Sequence, residues 1–531
     1  MIAQPQALAS AAADLTGIGS AIDEAIAAAA GRTTGVVAAA FDEVSAAIAN
    51  LFSTHALEGQ AVLTRAAAFH DDVARALSTA GRAYVEAEVV NAAAATDVTL
   101  VMGGSGNPIP PLSYVNAVVT KYITPHFPGF SVSNAQALFT PEAFYPLTGI
   151  KDLYPSVSVS EGVQILDAAI KQQLSLTNNV AVLGFSQSSI ISSLEMRALN
   201  PAGTPSALPL VFTLLGNPMN PNGGLLARFP GLSMPSLGFE FYGATPSNSF
   251  TTNIYTIEYD GFADFPQYPL NIFADLNALA GIYFVHGTYA DLTPAQIATA
   301  IPLTNTVGPT TTNYYMIPNP RLPLVQGISG IPIIGKPLAD LLEPNLRVLV
   351  NLGFGSVDQG WSSGPPNVPT SFGLFPQVNP GDVLQAFGSG TQHGISAFAN
   401  DIATMTWDSS VSEVVDAISS VPVPAPGVVE RFVANPTGFV NTVARAVSTG
   451  YSVLLPTADF VTAATLSIPA YDATLFTNGL MQAASGDPFG LINAIGNPIA
   501  ADVALFSIAA GFETLVLLSA TQSIISDFSS L

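Results

Sequence analysis

Apolar residues recur at helical spacing through the first 95 residues or so of the chain. Leu15, Ile18, Ile22 and Ile26 mark one stripe, and a second stripe follows a break at residues 31–35. Spacings of three and four residues place such side chains on one face of a helix. The glycines and threonines of the break indicate the end of one helix and the cap of the next. The pattern therefore predicts an antiparallel helical hairpin.

The second arm of this hairpin is long. It covers about residues 36–90, which at 1.5 Å per residue corresponds to roughly 80 Å if the helix is unbroken. Two helices of such unequal length cannot bury their apolar stripes on each other alone. The sequence therefore predicts a helical partner for this segment.

The pattern changes near residue 96, where short runs rich in β-branched residues begin to alternate with helical patterns. This alternation is typical of the α/β class, with a mostly parallel sheet covered by helices. The strand-like runs are VTLVM, NVAVLGF, LVFTLLG, NIYTIEY and GIYFV, and the helical ones are GVQILDAAIKQQL, SSIISSLEMRAL and LNIFADLNALA.

The remainder of the chain is rich in Ala, Ser and Val and reads as mainly helical. We therefore expect three regions, residues 1–92, 93–355 and 356–531. The most apolar segment of the tail, VALFSIAAGFETLVLLSA, contains Glu513. A carboxylate at the centre of a bilayer costs roughly 2.5 to 3.5 kcal/mol, so a packed or interfacial helix is favoured over a transmembrane one.

Composition narrows the classes of function. Lys and Arg number 14 against 37 Asp and Glu, which gives a net charge of −23 and excludes nucleic acid as a partner. With 49% hydrophobic and 10% charged residues, the chain is not an acidic disordered one. It has no cysteine, and its five histidines are scattered, so we predict neither a metal site nor a cofactor.

The clearest chemical signal is a serine between an apolar run and a helical pattern. Residues 179–185 form the run, and Gly184, Ser186 and Ser188 lie in the turn. A nucleophile elbow has this arrangement, with small residues two before and two after the serine because the helix passes close to the strand. Ser188 stands where a second glycine is usual. On these residues alone, an ordinary strand-to-helix turn capped by serine remains the alternative.

The order of residues along the chain indicates which histidine is the catalytic base. In α/β-hydrolases the order is serine, acid, histidine, which leaves His286 and His393. His286 follows the predicted strand GIYFV, at the carboxyl end where open sheets place their sites, whereas His393 lies in a predicted loop. We favour His286 because a rigid element must hold the base.

Two acids lie in the turn that follows the run NIYTIEY. Asp264 is the first choice to orient His286, and Asp260 is the alternative. Either residue could instead form an Asx turn with no catalytic role.

An oxyanion hole needs two N–H donors, usually one after the nucleophile and one from the loop after an early strand. Gln187 supplies the first. The glycine-rich residues 103–106 supply the second, with Gly104 allowing a close approach of the backbone and Ser105 adding a hydroxyl. These glycines match neither dinucleotide-binding nor P-loop spacing.

Residues 1–92 resemble the PE domain of mycobacterial PE/PPE proteins. The stretches VVAAAFDEVSAAIANLFSTHA and RAAAFHDDVARAL carry the resemblance, although Pro5-Gln6 stands where the family has Pro-Glu. Tyr84 and Glu88 match the Tyr-x-x-x-Asp/Glu element of a type VII secretion signal; alternatively, they form a surface pair. The resemblance implies a PPE-family partner, a type VII secretion chaperone, and a secreted or cell-envelope location.

Residues 97–355 resemble the PE-PPE domain, a cutinase-like serine α/β-hydrolase module. GNPMNPNGGLLARFPG, YDGFADFPQYPLN and PLADLLEPNLRVLVNLGFG carry this resemblance. Residues 184–188 are similar to the Gly-Tyr-Ser-Gln-Gly of cutinases and differ at the last position. The resemblance implies a triad of Ser186, His286 and an acid, for which Asp264 is the first choice and Asp260 the alternative.

We therefore expect an α/β fold in which a helical hairpin precedes an α/β-hydrolase domain and a helical C-terminal extension. The expected function is that of an exported serine esterase or lipase, for which the resemblance implies ester or lipid substrates with short to medium acyl chains. The alternative is a non-catalytic surface or interaction protein that uses a hydrolase-like scaffold.

Overall fold

The first of two units in the chain, Met1–Ala95, is helical. The computed structural model describes residues 5–40, 42–91, 96–404 and 436–529. Helix α1 (Pro5–Thr34) packs along α2 (Glu43–Asn91), and Gly19 of α1 approaches the ring of His70 on α2. At 1.5 Å per residue α2 is about 70 Å long, so the two predicted helices are present and the second is much the longer.

The break between the two helices lies later than the sequence pattern indicates. Thr33 and Thr34 are still within α1, where their hydroxyls donate to carbonyls one turn back. The cap of α2 is Asp42, whose carboxylate accepts from the backbone N–H of Ser45 at 2.8 Å. The expected threonine cap is therefore wrong, because these hydroxyls bond back into their own helix.

The second unit, Thr96–Leu531, is built on a seven-stranded sheet in the order β2-β1-β3-β4-β7-β9-β8. Every neighbouring pair is parallel except β8 with β9. A separate antiparallel pair joins β5 and β6. The strands are β1 (Asp97–Val101), β2 (Ala135–Ala137), β3 (Asn179–Phe185), β4 (Leu210–Leu215), β5 (Ser233–Met234), β6 (Phe239–Glu240), β7 (Thr251–Ile257), β8 (Ile301–Pro302) and β9 (Thr312–Ile317).

Helices connect these strands and continue beyond the sheet. Their pattern is that of an α/β-hydrolase with a helical extension. They are α3 (Leu112–Val118), α4 (Pro155–Ser175), α5 (Gln187–Leu199), α6 (Leu225–Arg228), α7 (Ile272–Phe284), α8 (Pro294–Ile297), α9 (Pro323–Ser329), α10 (Gly335–Leu352), α11 (Pro380–Thr404), α12 (Pro436–Ser452), α13 (Leu454–Thr462), α14 (Ile468–Ala484) and α15 (Gly490–Ser529).

The core of this unit lies beneath the central strands, whose carboxyl ends meet at one edge. Leu183, Leu215 and Ile257, near the ends of β3, β4 and β7, are almost fully buried in one cluster. Ligand sites of open parallel sheets lie just outside this edge. The four earlier strand-like runs are strands, but GIYFV belongs to α7, because the apolar pattern of that helix continues through it.

The C-terminal helices pack within the same unit as the sheet. Tyr145, in the loop before α4, donates to Asp459 of α13, and Glu513 of α15 accepts from Thr457. Two segments of the described residues, Thr437–Ala484 and Gly490–Phe528, are long and apolar enough to cross a membrane by length and composition. In each, 28% of the apolar window is buried inside the protein.

Candidate active site

Ser186 occupies a strained turn between β3 and α5. Its φ of 55° and ψ of −117° lie outside the usual regions for a residue with a side chain. Gly184 permits this turn, because a Cβ there would lie 2.6 Å from the carbonyl oxygen of Ser188 and 2.8 Å from the hydroxyl of Ser192. The local geometry is that of a nucleophile elbow.

Ser188, which departs from the usual glycine, has a structural role in this elbow. Its side chain is fully buried. The hydroxyl donates to the carbonyl of Gly103 at 2.6 Å and accepts from the N–H of Phe185 at 2.8 Å. The serine thus ties the elbow to the glycine-rich loop that follows β1.

His286 lies between Ser186 and Asp260. Its Nε2 is 2.7 Å from the Ser186 hydroxyl, and its Nδ1 is 2.8 Å and 2.9 Å from the two carboxylate oxygens of Asp260. Phe185 stacks on the imidazole, and Phe262 meets it edge-on at 4.7 Å between ring centroids. The imidazole is therefore fixed by packing as well as by hydrogen bonds.

The element that holds His286 differs from the one expected. The residue begins a 3₁₀ turn, His286–Thr288, directly after α7 rather than following a strand. Among the other histidines, His55 and His70 are residues of α2, His126 lies against the hydroxyl of Tyr255, and His393 is on α11 rather than in a loop.

Asp260 is fully buried and is held by donors other than histidine. The N–H of Phe262 donates to its Oδ1 at 3.1 Å, and the hydroxyl of Tyr289 donates to its Oδ2 at 2.7 Å. Burial, together with the nearby Asp260 charge, raises the pKa of Tyr289 well above its usual range, so the phenol keeps its proton. Tyr289 was missed in the sequence, since nothing in its surroundings there marks it.

Asp264 does not take the place expected for it. Its Oδ2 accepts from the N–H of Tyr259 at 2.9 Å, and its carboxyl is buried below the turn. The backbone N–H of Asp264 donates to the carbonyl of Asp260, which closes one helical turn between the two acids. The hydrogen-bonded acid beside His286 is Asp260, the alternative.

The three residues expected to form an oxyanion hole lie close to Ser186. Gln187 is the first residue of α5, so its N–H has no acceptor within the helix. A Cβ on Gly104 would lie 3.1 Å from that of Ser186, which shows how closely the loop approaches. The side-chain amide of Gln187 donates to the Ser105 hydroxyl at 3.3 Å and to the Ala143 carbonyl at 2.8 Å.

A pocket opens at the serine, and we name it the first pocket. It spans about 470 Å³, including solvent at its mouth. Its walls are mostly apolar, with Glu240 as the one charged side chain among the residues that line it. The lining residues are Ser105, Phe144, Pro155, Ser156, Val159, Ser186, Gln187, Ile190, Pro218, Leu226, Phe239, Glu240, Tyr242 and Phe262.

Comparison with known proteins gives the family. The family model of the PE family matches residues 1–91, and that of the PE-PPE domain matches residues 131–355. An uncharacterized PPE family protein, PPE28 of Mycobacterium tuberculosis, is 49% identical over 85% of this chain and 70% of its own length. The chain belongs to the PE family and carries a PE-PPE domain. No solved structure matches it.

Two further relatives of this PE-family chain have names that state an activity. Esterase PE16 of M. tuberculosis is 46% identical over 71% of this chain and 72% of its own length. The SL1278 acyltransferase Chp1 of the same organism is 30% identical over 58% of this chain and 70% of its own length. The PE-PPE domain and these relatives support an activity of the esterase or acyl-transfer kind.

The residues of the secretion motif lie on α2. Tyr84 and Glu88 fall within Glu43–Asn91, but their side chains lie outside the described ones. Within the described part of the chain, no three His, Asp or Glu side chains are grouped as a metal ion would require.

Proposed function

We propose that this PE-family chain is an exported serine esterase that hydrolyses carboxylic esters with short to medium acyl chains. The observation that carries the proposal is the position of His286, 2.7 Å from the Ser186 hydroxyl and 2.8 Å from the Asp260 carboxylate. A serine becomes an effective nucleophile when an adjacent, oriented base accepts its proton. The relative named esterase supports the same activity.

In the acylation step, Ser186 Oγ attacks the ester carbonyl while His286 Nε2 takes its proton. Asp260 holds the proton on Nδ1 and stabilises the imidazolium that forms. The Tyr289 hydroxyl keeps the carboxylate oriented toward the ring. The imidazolium then returns its proton to the alcohol as that alcohol leaves.

The negative charge that develops on the carbonyl oxygen needs donors that are already in place. We assign this role to the N–H of Gln187 and to the loop at Gly104 and Ser105, which lies against Ser186. A water molecule then attacks the acyl-enzyme, with His286 as the base, and releases the carboxylic acid.

The lining of the first pocket favours uncharged, apolar acyl groups. Phe144, Phe239 and Phe262 supply most of its aromatic surface, and Glu240 disfavours anionic groups. Part of this wall comes from residues 216–250, a segment rich in Phe, Leu and Met.

Transfer of the same acyl group to an alcohol is a second candidate. Ser186 and His286 are each only 8% exposed, so an acyl-enzyme there is partly shielded from water. The relative named acyltransferase supports this outcome. Adding a primary alcohol to the assay separates the two, because transfer yields a new ester whereas hydrolysis yields only the acid.

Labelling with a fluorophosphonate probe tests the proposed nucleophile and base. We expect the wild type to be labelled and to hydrolyse p-nitrophenyl butyrate, and we expect Ser186→Ala and His286→Ala to lose both properties. Ser175→Ala and His393→Ala are matched controls at exposed positions and should behave as wild type. A folded wild type that neither labels nor turns over ester would favour the alternative of a non-catalytic scaffold.

We further propose that the hairpin pairs with a PPE-family protein and directs export with a type VII chaperone. Exposed apolar side chains along α2 support a helical partner; they are Leu51, Phe52, Leu57, Val62 and Phe69. Tyr84→Ala together with Glu88→Ala should abolish export, whereas Glu86→Ala, between them, should not. Undiminished export after deletion of residues 81–92 would contradict this proposal.

A further inference from the structure

A second apolar pocket lies beside the first, and we name it the second pocket. It spans about 630 Å³, including solvent at its mouth, and one wall comes from the catalytic part of the chain, including Phe144 and Leu225. The opposite wall comes from the C-terminal helices, through Phe460 of α13, Ile468 of α14 and Ile508 of α15. These helices lie beyond residue 355, where the PE-PPE match ends.

Aromatic rings lie between the two pockets and line both of them. Phe144 and Phe239 line both pockets and stack on each other at 5.6 Å between centroids. Phe512 of α15 contacts Phe144 and Phe262, each at 6.1 Å, and Phe262 contacts the ring of His286. The second pocket therefore begins one layer of rings away from the catalytic imidazole.

The C-terminal wall is anchored to the catalytic part by polar contacts. The Tyr145 hydroxyl donates to the carboxylate of Asp459, and the Ser236 hydroxyl donates to the carbonyl of the same residue at 2.9 Å. Among the residues that line the second pocket, only Tyr145 carries an O–H or N–H side-chain group, and its hydroxyl donates a hydrogen bond to Asp459. The surface facing the pocket is thus almost entirely apolar.

The second pocket is an open cleft whose lining is almost entirely apolar. Apolar surface that a protein leaves accessible to water commonly marks a site for an apolar ligand or partner. A hydrocarbon chain fits this lining, whereas a polar or charged ligand would lose its hydrogen bonds to water without replacement.

We propose that α13, α14 and α15 complete an acyl-chain site, in which the chain of an ester bound at Ser186 extends past Phe144 and Phe239 into the second pocket. This inference rests on the proposed esterase function and extends its substrates to long-chain esters, with about 12 carbons or more. A change of rotamer at either phenylalanine opens the passage. Each buried methylene then contributes up to about fourfold to kcat/KM.

Filling the second pocket tests the proposal in the full-length chain. Ala509 lines this pocket, whereas its neighbour Ala510, on the same helix, is exposed and does not. We expect the wild type to hydrolyse p-nitrophenyl palmitate as well as p-nitrophenyl butyrate. Ala509→Trp should lower the ratio of the two kcat/KM values at least tenfold, and Ala510→Trp should keep the wild-type ratio. Equal ratios in all three proteins would overturn the inference.

A smaller side-chain replacement and a binding measurement show whether a lower ratio in Ala509→Trp comes from filling the pocket or from misfolding. Ala464→Leu fills the second pocket from the segment between α13 and α14 and should lower the ratio in the same direction. Fluorophosphonate labelling identifies variants whose site is intact. Binding of cis-parinaric acid, an 18-carbon fluorescent fatty acid, should weaken at least tenfold in Ala509→Trp and not in Ala510→Trp.

These measurements separate the two proposals. A wild type that turns over no ester but binds parinaric acid in the second pocket contradicts the esterase function and supports the apolar-chain site. A wild type that hydrolyses butyrate but neither hydrolyses palmitate nor binds parinaric acid supports the esterase function and overturns this inference.

Discussion

Two aspartates in one turn, Asp260 and Asp264, occupy different surroundings. Both carboxylate oxygens of Asp260 are hydrogen-bonded, and the partners are the imidazole of His286, the phenol of Tyr289 and the backbone N–H of Phe262. Asp264 has one hydrogen-bonded oxygen, and burial raises the pKa of its carboxyl well above the usual range. The first environment suits an acid that orients His286, and the second suits a neutral carboxyl.

These environments predict opposite responses to a neutral isostere. Asp260→Asn should lower kcat/KM for p-nitrophenyl butyrate by roughly 10²- to 10⁴-fold, because the amide no longer stabilises the imidazolium. Asp264→Asn should lower it less than about tenfold, because an amide resembles the neutral carboxyl. Steady-state kinetics on both variants, with thermal melting to establish folding, measures the difference. A larger loss of kcat/KM in Asp264→Asn than in Asp260→Asn would assign the orienting role to Asp264.

Asp275, within α7, is a buried carboxyl without a hydrogen-bond partner. Both of its oxygens are shielded from water, and burial raises its pKa from 3.8 to about 8. In the unfolded chain the same group titrates near its ordinary value of about 3.9. Between these two values the folded chain keeps a proton that the unfolded chain has released.

The sign of the resulting pH dependence follows from linkage. Because the folded state binds more protons, Asp275 makes the free energy of unfolding fall as pH rises from about 4 to about 8, by roughly 1.4 kcal/mol per pH unit. Asp275→Asn cannot ionise and removes this contribution. The loss of stability between pH 5 and pH 7.5, measured by urea unfolding, should therefore shrink by up to about 3 kcal/mol.

Asp291→Asn is the matched control for this measurement, because Asp291 is exposed. It should leave the wild-type pH dependence intact. Burial also raises the pKa values of Glu142 and Glu195 to about 8, so a residual slope of the same sign remains in Asp275→Asn. A variant with the full wild-type slope would show that Asp275 is ionised in the folded chain.

At the scale of elements, the apolar runs were the most informative part of the sequence. The runs that became β1, β3, β4 and β7 are short, β-branched and bounded by turn residues, and these features favour strands. The run GIYFV was misread because its length and composition fit a strand equally well. A Cβ on its Gly281 would clash with the carbonyl of Tyr259, a packing requirement that sequence spacing does not reveal.

The parts of the candidate site differ in how far the sequence could predict them. The structure places Ser186 and His286 in hydrogen-bond contact, as their chain order and motif led us to expect, and their catalytic roles stay predictions. The choice between Asp260 and Asp264 depends on donors such as Tyr289, distant in sequence. The second pocket was not foreseen, because its C-terminal wall carries no chemical motif and arises only from packing.

At the scale of the whole molecule, the chain divides into two compact units, Met1–Ala95 and Thr96–Leu531. The sequence separated residues 93–355 from 356–531, and that boundary stays a prediction. In the structure both segments belong to the unit Thr96–Leu531. Contacts such as that of Tyr145 with Asp459 join the catalytic part to α13. The C-terminal helices and the candidate active site should therefore unfold together.

Because of this coupling, we expect a destabilising substitution in α15 to lower the stability of the candidate active site around Ser186. Leu505 is buried on α15, so Leu505→Ala should cost about 2 to 5 kcal/mol of unfolding free energy and lower the urea midpoint at which fluorophosphonate labelling is lost. Leu491→Ala, at a 62% exposed position on the same helix, should leave that midpoint near the wild-type value. If the C-terminal helices instead unfolded independently, Leu505→Ala would shift the helical signal in circular dichroism while labelling kept its wild-type midpoint.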